Sequence, residues 1–110
     1  MNILRLEKLA IGQMASGHLN LDLSGKVSWN EFPKYASKLV KMCDGIVKNK
    51  SDAPDIRIWY IRINEVDLRL VFDDYPQMVS IESSSDAADE KIKLLNEMLD
   101  NYKRRYTNQP

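Results

Sequence analysis

The amino-acid sequence predicts an α+β fold, in which an antiparallel sheet of four or five strands carries two helices on one face. The stretch 56–83 reads as three consecutive strands joined by tight turns, and apolar residues alternate with mostly polar ones through Val66–Asp73. The stretches 29–44 and 86–105 carry apolar residues at helical spacing. Because short connections favour pairing between consecutive strands, the last three strands are expected to form an antiparallel meander.

The bulk composition is that of a single globular domain spanning residues 1–110. Lys and Arg together number 16, as do Asp and Glu, so the formal net charge of zero argues against nucleic acid as a partner. The single cysteine, Cys43, excludes an internal disulfide. Charges interrupt the apolar residues of the N-terminus, and no apolar run approaches the roughly 18 residues of a membrane span. We therefore expect a cytoplasmic protein without a membrane partner.

The first quarter of the chain predicts two strands. Residues 2–12 fit neither period well, and we favour a strand near 2–9, followed by a connector over 12–17. The stretch 18–23 alternates cleanly, with leucines on one face and polar residues on the other. Ser24 and Gly25 then form a turn.

The first helix is predicted from about Trp29 to Asp44. Ser28 and Glu31 match a capping box, in which each side chain accepts the backbone N–H of the other residue. Gly45 is a natural stop, because glycine adopts the left-handed conformation at little cost. The apolar residues that recur at helical spacing and predict the core face are Phe32, Tyr35, Ala36, Leu39, Val40 and Cys43.

The rest of the chain predicts a short strand, the meander and a second helix. Lysines in the strand at 46–50 suit a solvated sheet edge, and 51–55 is a loop. Turns fall at 64–65 and 74–76 within the meander. Capping residues at 83–86 begin a helix that runs to about Arg105. Its apolar stripe consists of Ala88, Ile92, Leu95, Leu99, Tyr102 and Tyr106, reinforced by Leu94 and Met98.

Few residues point to catalysis or to a metal. His18 is the only histidine, and the nearest carboxylate on its strand face, Asp22, is four residues away, so we interpret His18 as an exposed strand residue. Cys43 lies on the apolar stripe and reads as a small buried hydrophobe, although a dyad with His18 is conceivable. One histidine and one cysteine leave too few ligands for zinc without carboxylates. With four glycines and no phosphate-binding loop, we predict no catalytic residue, metal or cofactor.

Acidic residues concentrate in the second half of the chain. Six of them lie between Val66 and Asp89, where Arg69 is the only basic residue. Asp73 and Asp74 are adjacent on a strand and point to opposite faces, so turn chemistry explains them better than a metal or acid–base pair does. The segment can be an ordinary solvated surface, or it can be an acidic patch that attracts a basic partner. The residues predicted to bind a partner are Asp67, Asp73, Asp74, Tyr75, Glu82, Asp86 and Trp59.

The sequence does not decide which of two adjacent aromatic residues of the meander is exposed. Trp59 and Tyr60 are adjacent on one strand and must face opposite ways, so one of them lies outside the main core. Aromatic side chains concentrate binding energy at interfaces. If no second layer covers that side of the strand, it is a surface for a partner.

Two motifs resemble those of a known class of proteins. They are W-x-E-F-P-x-Y-A at Trp29–Ala36 and W-Y-I-x-I…L-x-L-x-F-D-D at Trp59–Asp74. With the acidic start of the last helix, they resemble small cytoplasmic immunity proteins encoded beside polymorphic toxins of the contact-dependent inhibition and Rhs types. The motifs also resemble a family of small bacterial proteins of unassigned function. The first resemblance implies a non-enzymatic inhibitor that binds a cognate toxin domain with a basic cleft and covers its active site.

The sequence is also compatible with two other functions. One is a small adaptor or regulatory domain that forms a homodimer through an edge or face of the sheet. The other is an enzyme that uses His18 or the carboxylates Asp73 and Glu82.

Overall fold

A computed structural model describes residues 3–107 of the chain as one antiparallel sheet of six strands with two helices. The α+β class is confirmed, but the sheet has six strands where four or five were predicted. The elements in chain order are β1 (Ala10–Gln13), β2 (Leu19–Ser24), α1 (Phe32–Met42), β3 (Ile46–Asp52), β4 (Ile56–Ile63), β5 (Val66–Asp74), β6 (Gln77–Glu82) and α2 (Asp86–Thr107). Their order across the sheet is β1-β2-β6-β5-β4-β3.

The meander of β4, β5 and β6 forms the centre of the sheet, as predicted. Its first turn contains Asn64 and Glu65, which both have positive φ angles, of 49° and 66°. Two successive residues in that region make the tight reversal whose twist matches that of paired strands. Strand β3 adds to one side of the meander, and the hairpin of β1 and β2 adds to the other.

The prediction of a strand near 2–9 is wrong for residues 3–9, which are the part of that stretch that the structure describes. The strand is β1, at Ala10–Gln13, partly within the predicted connector. Leu4 and Leu6 lie in an irregular segment, and both side chains are buried in the core, each 4% exposed. Their burial in the core, and not a strand, explains the alternation. Side chains of the helices satisfy its backbone: the Leu4 N–H donates to the Tyr102 hydroxyl at 3.0 Å, and the Tyr35 hydroxyl donates to the Arg5 carbonyl. Residue 2 lies outside the described residues.

Helix α1 begins later than predicted, although its capping box forms. The Glu31 N–H donates to Ser28 Oγ at 3.2 Å, and the Ser28 N–H donates to Glu31 Oε1 at 3.0 Å. The residues between them form a turn, and the regular helix starts at Phe32, with Pro33 in its first turn. All six residues of the predicted core face are buried.

Gly45 follows α1 as predicted, but for a different reason. The positive φ angle, 54°, belongs to Asp44. A Cβ atom on Gly45 would lie 2.9 Å from Ile63 Cγ1 and 3.0 Å from the Arg62 carbonyl oxygen. Glycine is therefore required here because the chain passes close to β4 as it leaves the helix.

The sheet has one face covered by both helices and one face without them. In β5, Leu68, Leu70 and Phe72 point to the covered face, where residues of α1 and α2 complete a single core. Phe32 of α1 contacts the rings of Trp59 and Phe72 at centroid distances of 5.7 Å. The alternate residues of each strand lie on the other side, which we call the open face. Neither described helix combines the length and apolar character needed to cross a membrane.

The two faces predict different sensitivities to truncation. Leu70 is fully buried at the centre of the sheet, so Leu70→Ala is expected to lower the free energy of unfolding by about 2–5 kcal/mol. Met78 lies half-buried on the open face, so Met78→Ala serves as the control and should cost about 1 kcal/mol or less. Urea denaturation measures both values. Equal losses for the two variants would contradict this assignment of faces.

Candidate functional site

A row of polar side chains crosses the middle of the open face. Register places Tyr60 opposite Arg69, Arg69 opposite Glu82, and Glu82 opposite Asn20. Arg69 Nη2 lies 3.1 Å from Glu82 Oε1. This ion pair links β5 to β6 across the centre of the open face.

Beside this row lies a small group of apolar side chains. Ile58 is opposite Val71, while Ile56 and Met78 flank Asp73. We call Ile56, Ile58, Val71 and Met78 the apolar cluster. No helix covers it, yet Val71 is only 8% exposed. Ile58 on β4 lies beside Val71, while Asp73 lies between Ile56 and Met78, so the cluster is a small set of apolar side chains around one carboxylate.

The apolar cluster adjoins an end of the sheet rich in carboxylates. The Asp74 N–H donates to the Asp55 carbonyl at 2.9 Å, which brings the β3–β4 loop against the β5–β6 turn. Asp73 Oδ1 accepts the Tyr75 N–H at 3.0 Å, and Tyr75 itself is 89% exposed. Within residues 3–107, none of the carboxylates of Asp55, Asp73 and Asp74 forms an ion pair. We call these three residues and Tyr75 the acidic end.

The six acidic residues of the second half do not form one patch. Asp67 is six residues from Asp73 along β5, a separation of about 20 Å. It lies 2.9 Å from Arg62 Nε and 3.7 Å from Lys48 Nζ. The hydrogen bond from Arg62 lowers the pKa of Asp67. Glu82 is paired with Arg69, so the charges of Asp67 and Glu82 are both largely neutralised. Of the residues predicted to bind a partner, only Asp73, Asp74 and Tyr75 lie together.

The structure separates the two aromatic residues of β4. Trp59 is 3% exposed and packs in the core, with Lys50 Nζ 4.2 Å from its ring centroid. A partner cannot reach this side chain, so Trp59 is removed from the residues predicted to bind a partner. Tyr60 is 38% exposed on the open face.

The remaining predicted residue, Asp86, lies at the start of α2 near His18 and Asp89. His18 Nδ1 lies 2.9 Å from Asp89 Oδ2, and the Leu19 N–H donates to Asp89 Oδ1 at 2.9 Å. Hydrogen bonds from the Leu19 amide, the Ser83 side chain and His18, in that order of effect, lower the pKa of Asp89 to about 2. The carboxylate thereby ties the start of β2 to the first turn of α2. The prediction that His18 is an exposed strand residue is wrong, because His18 precedes β2, is half-buried and pairs with Asp89.

Metal binding and thiol chemistry find little support in this geometry. Ligand atoms of His18, Asp86 and Asp89 lie within 4.8 Å of one another, which suits a cation. A metal would, however, have to displace the hydrogen bond that His18 Nδ1 makes with Asp89. Cys43 is buried, and burial together with the nearby Asp44 raises the pKa of its thiol to about 11. At neutral pH the thiol is therefore protonated and a poor nucleophile.

Comparison with known proteins places the chain in a family. Residues 9–100 match the family described as "Protein of unknown function (DUF3630)". The chain belongs to this family. The match takes in all six strands, α1 and most of α2, so it covers both the open face and the acidic end. No curated protein and no solved structure matches the chain.

Three features of this DUF3630 chain were missed from sequence. Asp55 lies in the β3–β4 loop, as predicted, but its approach to Asp74 depends on strand pairing. The pairing of His18 with Asp89 joins residues 71 positions apart. The apolar cluster did leave a signal, because Ile56, Ile58 and Tyr60 alternate with residues of the covered face. A strand that is apolar on both faces indicates that both sides of the sheet make contacts.

Asp89→Asn is expected to destabilise this DUF3630 protein in a pH-dependent way. Because the folded chain lowers the pKa of Asp89 from 3.8 to about 2, the ionised carboxylate stabilises the fold above about pH 4, and this contribution is lost as the pH falls towards 2. The variant should melt below the wild type at about pH 5, and the difference should shrink between about pH 4 and pH 2.

Thermal unfolding followed by circular dichroism measures this difference. Asp100→Asn is the matched control, because Asp100 pairs with the exposed Arg104 on the same helix, and it should change the melting temperature little. A difference between wild type and Asp89→Asn that stays constant from about pH 5 to pH 2 would contradict the role assigned to the carboxylate.

Proposed function

We propose that this DUF3630 chain is a non-enzymatic protein that binds and neutralises a toxin domain, and that it does so with the acidic end and the apolar cluster. The observation that carries the proposal is that Asp55, Asp73 and Asp74, none of them in an ion pair among the described residues, lie at one end of the sheet with the exposed Tyr75, beside the apolar cluster. A cytoplasmic location and the absence of a cofactor are parts of the same proposal.

The arrangement matches the usual anatomy of a protein interface. Such interfaces combine an apolar centre with a polar rim, and tyrosine is among the residues that contribute most to binding energy. Here Ile56, Ile58 and Met78 supply apolar contact area, and Tyr75 extends from the adjoining turn. The surface therefore supplies both kinds of contact to one partner.

The charge of the acidic end favours a basic partner. Asp55, Asp73 and Asp74 have no cationic side chain close enough to form an ion pair among the described residues. The nearest guanidinium in sequence, that of Arg57, is already used: its Nε lies 3.2 Å from Asp52 Oδ1, and its Nη1 donates to the Trp29 carbonyl at 3.0 Å. The field of the three carboxylates thus extends into solvent and accelerates encounter with a positive surface.

A toxin domain that cleaves nucleic acid is the partner class that fits this charge. Enzymes acting on nucleic acids carry clefts rich in lysine and arginine. A turn that projects from the end of a sheet and carries carboxylates is complementary to such a cleft in shape and charge. The motif resemblance to immunity proteins supports the same partner, which would be encoded by the neighbouring gene.

A homodimeric adaptor is the second candidate function. Strand β3 is an edge strand whose seven residues are all exposed, and Ile46 and Val47 present apolar side chains there. Pairing with β3 of a second copy would extend the sheet. Lys48 and Lys50, and the register shift between Val47 and Asn49, oppose such pairing, which makes this the weaker candidate.

Co-expression with the toxin domain of the neighbouring gene tests the proposal. The proposal predicts that the chain restores growth of cells that express the toxin and that the two proteins elute as one complex from gel filtration. Unchanged killing together with separate elution would overturn it. Light scattering of the chain alone across a concentration series tests the alternative, which predicts a stable dimer.

Charge reversal localises the interface. Asp73→Lys with Asp74→Lys is expected to weaken toxin binding at least about tenfold, or about 1.4 kcal/mol, because it replaces attraction to a basic cleft by repulsion. Lys34→Glu with Lys38→Glu on α1 is the matched control, with two charges reversed in the other sense, and it should change affinity less. Isothermal titration calorimetry measures both, and equal losses would rule out the acidic end as the contact.

A further inference from the structure

A cleft of about 550 Å³ lies on the helix side of the sheet, away from the open face. It separates the N-terminal segment at residues 3–5 from α1. Leu4, Val27 and Tyr35 form its apolar part, while Arg5, Lys34 and Lys38 contribute cations. Its volume falls within the range of about 300–1,000 Å³ that is usual for small-molecule sites.

The apolar part of the cleft is fixed by packing. Leu4 and Val27 are 4% and 2% exposed, so each belongs to the core and presents only an edge to the cleft. The Tyr35 hydroxyl donates to the Arg5 carbonyl, which ties α1 to the N-terminal segment and uses the polar atom of that side chain. The site is therefore formed before a ligand arrives, which reduces the ordering cost of binding.

Cations outnumber carboxylates in the cleft. Lys34 and Lys38 are one helical turn apart on α1, and neither forms an ion pair within the described part of the chain. Arg5 Nη1 donates to the Lys26 carbonyl at 2.6 Å, which positions the guanidinium, and the charge of Arg5 attracts that of Glu31. Glu31 is the single carboxylate of the lining, and its Oε1 is used by the Ser28 N–H in the capping box.

We propose that this cleft binds a small organic anion in which a carboxylate or phosphate group adjoins an apolar body. Arg5, Lys34 and Lys38 hold the anionic group, because three cations face one carboxylate there and charge-assisted hydrogen bonds to anions are the strong ones. Ile3, which is 46% exposed, and the exposed edges of Leu4, Val27 and Tyr35 contact the apolar body. The inference is independent of the toxin proposal, because none of these residues belongs to the acidic end or the apolar cluster.

Three probes of the same size separate the contributions. Phenyl phosphate and phenylacetate each carry an anionic group on an aromatic ring, and benzyl alcohol carries the ring without a charge. Each is titrated into the full chain labelled with ¹⁵N, and amide shifts are followed by nuclear magnetic resonance. We expect saturable shifts at Leu4, Val27, Tyr35 and Lys38 with at least one anion and about fivefold weaker binding of the alcohol. The tighter anion identifies the headgroup.

Lysine substitutions test the contact directly. Lys34→Gln with Lys38→Gln should weaken binding of the tighter anion about tenfold. Lys8→Gln with Lys41→Gln removes the same charge from exposed positions outside the cleft lining and should leave binding nearly unchanged. Shifts that spread evenly over the surface, or equal losses in the two double variants, would overturn the proposal. Equal binding of the alcohol and both anions would overturn it as well.

Discussion

The alternation of side chains along β5 is the constraint on which the rest of this structure depends. Leu68, Leu70 and Phe72 must all be buried, and the pleat then sends Asp67, Arg69 and Asp73 to the other side. Because β5 pairs with both β4 and β6, its register assigns the faces of the neighbouring strands as well. A slip of one residue would exchange the core for the open face, so the hydrophobic effect specifies this register strongly.

The same constraint connects the core to the candidate binding surface. Phe72 packs against Phe32 and Trp29 at the end of the sheet where α1 begins. Arg57 stacks on the Trp29 ring at 4.8 Å and donates to its carbonyl, which fixes the segment that leads into α1. The loop that precedes Arg57 contains Asp55, and its carbonyl accepts the Asp74 N–H. The backbone of the acidic end is therefore held by the packed elements beneath it, and the bond from the Tyr75 N–H also positions the Asp73 carboxylate.

Local patterns predicted much of this architecture. The period of two in 56–83 predicted the meander, and the Ser28–Glu31 pair predicted the capping box. The apolar stripes predicted the buried residues of α1 and Ala88, Ile92, Leu95 and Leu99 of α2, but Leu94 and Met98 are exposed. The strand near 2–9 failed because Leu4 and Leu6 alternate in an irregular segment whose burial depends on the helices above it. The single acidic patch failed because closeness along the chain does not place Asp67 and Asp73 together on one extended strand. The contacts of Asp55 with Asp74 and of His18 with Asp89 depend on strand order, which local periodicity does not contain.

The central claim is that helices cover one face of the sheet and leave the other accessible. Paramagnetic relaxation of methyl groups by a soluble gadolinium complex tests it most directly, because relaxation depends on how closely the complex approaches each methyl group. The account predicts strong relaxation for Ile56, Ile58 and Met78 and weak relaxation for Leu70, Ile81 and Leu99. Equal protection of both groups across a range of protein concentrations would contradict an open face and, with it, the surface proposed for the partner.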